Sequence, residues 1–145
     1  MTSTKLGEIT VNGKSISMFT PPHPQPDFLW VDAEELAAAF LNAEDAKRMT
    51  QHAQRYGDDV RAVVTVPNGD RIATVMCHAM AQGLCGAIDH WKGFKPKDDH
   101  DTGPAHNAYC LAAGRFMADN WPLSFEGMIH ALRHPGGDFM KGGSK

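Results

Sequence analysis

Four side chains with metal-ligating or nucleophilic chemistry fall close together: His100, Asp101, His106 and Cys110. Positions i and i+4 of a helix share a face, so His106 and Cys110 would point the same way, with His100 in the loop before them. Imidazole and thiolate are zinc ligands, which makes His100, His106 and Cys110 a candidate metal set with zinc as its cofactor. The opposing observation is that neither C-x-x-C nor H-E-x-x-H occurs, and a cysteine in an alanine-rich helix commonly packs as a small hydrophobe. Cys77 and His78 are adjacent and would diverge on a helix or a strand, so a core place for Cys77 and a hydrogen-bonded or exposed His78 are expected. No catalytic residue is assigned, because the chain lacks the nucleophile elbow, the phosphate loop and the dinucleotide fingerprint. Asp58-Asp59 and Asp98-Asp99 are neighbours in turn-like stretches, which gives no fixed separation for acid–base work. A non-enzymatic protein without cofactor is the preferred reading.

A second constellation is basic and amide-rich. Lys47, Arg48, Gln51, His52, Gln54 and Arg55 fall on one predicted helix, and Arg71 follows a turn signal. Such side chains grip phosphates or read base edges. They also make an ordinary solvated helix face, and Glu44, Asp45, Asp58 and Asp59 offset the charges of Lys47, Arg48, Arg55 and Arg61. On the DNA reading, Lys47, Arg48, Gln51 and Arg55 face nucleic acid and Arg71 sits on a wing.

These side chains need positioning elements. Ile9 and Val11 alternate with polar residues, Asn12-Gly13 intervenes, and Ile16 and Met18 alternate again. This pattern predicts a hairpin with a type I′ turn, Ile9 opposite Ile16 and one apolar face. Pro21, Pro22, Pro24 and Pro26 predict a stiff surface connection. Asp32 with Glu35 three residues on predicts a capped helix start, Asn42 with Asp45 a second one, and Gly57 a helix end. Residues 60–66 and 72–75 around Pro67-Asn68-Gly69-Asp70 predict another hairpin. Residues 76–91 predict a helix that a partner approaches over Ala79, Gly83, Gly86 and Ala87. Residues 93–103 predict a polar loop, 105–119 a helix with Pro104 at its first turn and Tyr109, Ala112, Phe116 and Met117 buried, and Ser124 the cap of a last short helix.

The fold class expected is α+β: an N-terminal antiparallel β-hairpin, a helix-turn-helix-like pair with a second hairpin, and a mostly helical C-terminal half. One compact domain over residues 1–138 and a flexible tail over 139–145 are expected. Helix, tight corner, helix and hairpin is also the order of a winged helix-turn-helix unit.

The run Phe28-Leu29-Trp30-Val31-Asp32-Ala33-Glu34-Glu35-Leu36-Ala37, preceded by the Asn12-Gly13 ribbon and followed by a short second helix and a hairpin, resembles the Bro-N type domain of prophage antirepressors. In that family a strand ending in an aromatic-rich run enters a helix in the same way. The resemblance covers about residues 7–76 and implies DNA binding and phage gene regulation; the C-terminal half has no counterpart in it.

Composition bounds the partners. The net charge of −3 gives no global basic field, and residues 1–46 hold two basic against seven acidic residues. A nucleic-acid surface is thereby confined to one helix face and a wing. Three cysteines cannot all pair, and no apolar leader or membrane-length segment occurs, so a reduced, cytoplasmic protein with no membrane partner is expected. The remaining reading is a non-enzymatic protein that binds a host protein or assembles with itself as a homodimer, presenting the proline stretch or Trp30, Trp91 and Trp121. Burial in the core is the competing place for each tryptophan.

Overall fold

The computed structural model describes residues 2–137 and Phe139, with backbone alone over residues 57–60. The architecture is α+β. Its strands are β1 (Lys5–Val11), β2 (Lys14–Phe19), β3 (Trp30–Asp32), β4 (Val63–Asn68) and β5 (Arg71–Met76), and its helices are α1 (Ala33–Ala38), α2 (Ala43–Val60), α3 (His78–Trp91), α4 (Pro104–Asn120) and α5 (Phe125–Arg133). The two expected hairpins form and join in a single antiparallel sheet of order β1-β2-β3-β5-β4. The three-residue β3 bridges them, pairing Met18 with Val31 on one side and Val31 with Met76 on the other.

The first hairpin has the expected register, with Ile9 opposite Ile16. Asn12 and Gly13 take φ of 51° and 78°, the left-handed values that a type I′ turn demands. Asn12 also ties the turn to the end of α1, its Nδ2 donating to the Ala39 carbonyl at 2.6 Å. Each face of the sheet contributes to a core. Against one face, α1, α3 and α4 bring Leu36, Leu84, Ile88, Tyr109 and Ala113 onto Ile9, Ile16, Met18 and Val31. On the other face the sheet's own Phe19, Trp30, Ala73 and Val75 form a smaller cluster with Cys77, with Phe139 packed on it, while Glu8 and Thr10 of β1 are exposed.

The proline stretch departs from expectation. Pro21, Pro22, His23 and Asp27 are buried, and only Pro24 and Pro26 are exposed. Asp27 is the reason: its carboxylate accepts from Trp30 Nε1 at 2.9 Å and pairs with His23 Nε2 at 3.0 Å, while its carbonyl accepts from Trp121 Nε1 at 3.0 Å. The segment is therefore a wall of the second core and not a presented peptide. Trp30 joins the core, Trp121 is half-buried and Trp91 is exposed.

Helix boundaries follow side-chain caps. Asp32 accepts from Glu35 N at 3.0 Å, as expected, but the Glu35 carboxylate turns to the Ser17 amide of β2 at 2.7 Å, where a capping box would have returned it to Asp32. Asn42 caps α2 through Asp45 N at 2.8 Å. α2 does not stop at Gly57; it runs to Val60, and Arg61 supplies the left-handed residue with φ of 56°. On α3 the small residues Ala79, Gly83, Gly86 and Ala87 face outward, and the packed row is Ala81, Leu84, Cys85 and Ile88. The buried row of α4 is Ala105, Tyr109, Ala113 and Met117, with Ala112 and Phe116 half-buried beside it. The tail expected over 139–145 lies outside the described residues except for Phe139, whose ring centroid is 5.6 Å from that of Trp30. Among the described residues no helix is long and apolar enough to cross a membrane.

Candidate functional site

The basic and amide-rich residues of the second constellation are carried by α2. Ala46 and Thr50 anchor its inner face, the Thr50 hydroxyl donating to the Ala46 carbonyl at 2.8 Å. Four-residue spacing then puts Lys47, Gln51 and Arg55 in one row, and all three are exposed. None of the three has a carboxylate partner among the described residues. Arg48, His52 and Tyr56 form the neighbouring exposed row. Arg48 is already countered, lying 2.9 Å from Glu44 and 3.7 Å from Asp45. Gln54 turns to the sheet, 3.3 Å from Thr74 Oγ1. The side chains of Asp58 and Asp59 lie outside the described residues.

Arg71 is placed elsewhere. The β4–β5 hairpin is part of the five-stranded sheet, so its tip lies against α1 and does not project as a wing. The Arg71 guanidinium bonds the Asp32 carboxylate and reaches Glu35 at 3.4 Å, while Asn68 Nδ2 donates to Asp32 at 2.9 Å and to Ser17 Oγ at 3.1 Å. Burial raises the Asp32 carboxyl above its ordinary range, outweighing the Glu35 amide, Asn68 and Arg71, which pull it down. Partial burial lowers Arg71, yet the facing carboxylates more than reverse this and hold its charge. The charge of Arg71 is thus used inside the fold.

Of the candidate metal set, the structure brings His106 and Cys110 together, with Cys110 Sγ 3.7 Å from His106 Nε2 and also 3.4 Å from Gln82 Nε2. His100 is exposed on the loop, its amide bonded to Asp98, and does not complete a set: among the described residues no three His, Cys, Asp or Glu side chains are grouped to hold a metal ion. Asp101 is likewise occupied, accepting from Lys97 N at 2.9 Å. Cys77 is buried at the start of α3, and burial pushes its thiol up to about 11; Cys85 is pushed to about 12 for the same reason.

His78 is hydrogen-bonded, its Nδ1 lying 2.8 Å from the hydroxyl of the wholly buried Tyr109. That hydroxyl has no other acceptor among the described residues, so it donates to Nδ1 and the imidazole proton sits on Nε2. Burial, helped by the neighbouring His106, lowers His78 to about 4.

Sequence reasoning missed Asp89, Asp27 and Gln82. Asp89 is buried at the end of α3 and accepts from Ala105 N at 2.8 Å and His106 N at 3.0 Å, holding the first turn of α4 from another helix. No local spacing announces a cap supplied from sixteen residues away. Comparisons with family models, curated proteins and solved structures find no match to this chain.

Proposed function

We propose that the protein is a small, non-enzymatic cytoplasmic regulator of phage type that binds DNA through the exposed row of α2. The observation that carries the reading is Lys47, Gln51 and Arg55 aligned on a helix of 18 residues with no carboxylate partner among the described residues. At a rise of 1.5 Å per residue the row covers about 12 Å, the length of about three base pairs. Lys47 and Arg55 would hold phosphates and Gln51 would meet a base edge. The resemblance of residues 7–76 to prophage antirepressor domains supports the same reading. Arg48 and Arg71 are left out of the contact, because carboxylates of the fold already engage them. An anisotropy titration with a mixed-sequence duplex of about 25 base pairs at low salt should saturate in the micromolar range; no binding at tens of micromolar removes the reading.

A second reading, protein interaction or homodimer formation, is favoured by α5. Phe125, Met128 and Leu132 project from one side of it and are exposed, Phe125 at 81%. Three large apolar side chains on one helix face are the usual mark of a protein contact. Sedimentation across a concentration series distinguishes a self-associating α5 from a monomer, and Phe125→Ser should abolish any dimer found.

A further inference from the structure

Between the start of α3, the second half of α4 and the segment entering α5 lies a groove of about 450 Å³. Phe28, Met117, Trp121, Leu123 and Met128 form its apolar walls. Three polar side chains converge on it from helices: His78, Gln82 and Cys110. Pockets of about 300–1,000 Å³ with apolar walls and a few fixed polar groups are the usual form of small-molecule sites. The polar groups here are held in place. Tyr109 fixes the His78 ring through Nδ1, leaving Nε2 without a partner among the described residues, and Gln82 places its Nε2 on Cys110 Sγ, leaving Oε1 without one.

Charge selects the occupant. Among the described residues no acidic, lysine or arginine side chain lines the groove, and His78 stays neutral at pH 7 because its burial opposes protonation. A charged ligand would lose water here and find no counter-ion. We propose that the groove binds one small uncharged molecule, with an aromatic or aliphatic body between Phe28, Trp121 and Met128 and one hydrogen-bonding head against His78 and Gln82. None of the described side chains of α2 lines this groove, so binding here is independent of DNA binding through α2. The larger groove between α2 and α3, of about 530 Å³, lacks this selectivity: the polar side chains lining it, His52 and Tyr56, are both exposed.

The test uses the full chain and N-phenyl-1-naphthylamine, an uncharged fluorophore with one N–H and an emission that rises in apolar surroundings. Its fluorescence should saturate at one molecule per chain with a Kd of about 10 μM or below. Gly114 lines the groove, and a Cβ built on it meets no atom within 4 Å, so Gly114→Phe fills the site without a clash at its root. That variant should keep the wild-type circular dichroism and bind at least about tenfold more weakly. Gly83→Phe, equally open but in the other groove, should leave the affinity within about twofold. Bound probe should also slow iodoacetamide labelling of Cys110. The proposal is overturned if wild-type protein shows no saturation by about 100 μM, if Gly114→Phe binds like wild type, if only Gly83→Phe loses binding, or if Cys110 labels at an unchanged rate. It is also overturned if the probe dissociates a dimer that Gly114→Phe cannot form, since a second copy would then be the occupant.

Discussion

The guanidinium of Arg71 closes over the carboxylate of Asp32, 39 residues away in sequence, and so locks the tip of the β4–β5 hairpin onto the first turn of α1. Asp32 is wholly buried at the centre of the sheet, where it also caps α1. Among the described residues, removing Arg71 leaves that carboxylate with Asn68 and the Glu35 amide alone. Arg71→Ala should cost about 2 kcal/mol in urea unfolding, below the usual loss for a broken buried pair because the Arg71 side chain is 36% exposed. The loss should shrink in an Asp32→Asn background. DNA affinity of the folded variant should stay within about twofold of wild type; a large drop would return Arg71 to the DNA surface.

Gly103 and Gly114 make opposite predictions within one region. A Cβ on Gly103 would come within 2.4 Å of Asp89 Cγ, the carboxylate that caps α4, whereas one on Gly114 meets open space. Gly103→Ala should destabilise by about 1–3 kcal/mol, by pushing Asp89 off the Ala105 and His106 amides. Gly114→Ala should stabilise by about 1 kcal/mol, since it removes a helix-interior glycine at no steric cost. Thermal melts of the two variants check both signs, and equal shifts in one direction would contradict the Asp89 cap.

His78 predicts an acid-side loss of stability. Its unfolded form takes a proton near 6.5, while in the fold it waits until about 4, so between these values the unfolded chain binds more protons. Stability contributed by neutral His78 is therefore whole above 6.5 and declines as pH falls toward 4, by about 2–3 kcal/mol in all. His78→Gln, which can still meet Tyr109 and does not titrate, should lose that part of the slope. Identical pH profiles for the two proteins would show that His78 is freely protonated in the fold.

Local signals in the chain were legible, and contacts supplied from far along it were not. The Asn12-Gly13 turn with its Ile9–Ile16 register, the Asp32, Asn42 and Ser124 caps and Pro104 in the first turn of α4 all depend on residues within a few positions of one another. The joining of two hairpins through Trp30–Asp32, the burial of Pro21 and Pro22, and the Asp89 cap depend on partners in other elements. Composition misleads there: prolines usually lie at the surface, but Asp27 anchors both Trp30 and Trp121 and draws this loop inward. The same limit governed the candidate sites. That Lys47, Arg48, Gln51 and Arg55 share one helix was legible locally, whereas the pairing of Arg48 with Glu44 and Asp45 needed the side-chain geometry, the engagement of Arg71 by Asp32 needed the sheet order, and the meeting of Gln82 with Cys110 needed the docking of α3 on α4.

The DNA-binding claim is tested most directly by the salt dependence of duplex affinity, measured for wild type and for Lys47→Ala/Arg55→Ala. Two phosphate contacts predict a slope of log affinity against log salt of about −2 for wild type, falling toward zero in the double variant, whose binding should weaken by at least about tenfold. Both residues are exposed and without carboxylate partners among the described residues, so the variant should melt within a few degrees of wild type. Equal affinities and equal slopes for the two proteins, or no duplex binding by either, would contradict the assignment of α2 as the DNA-facing helix.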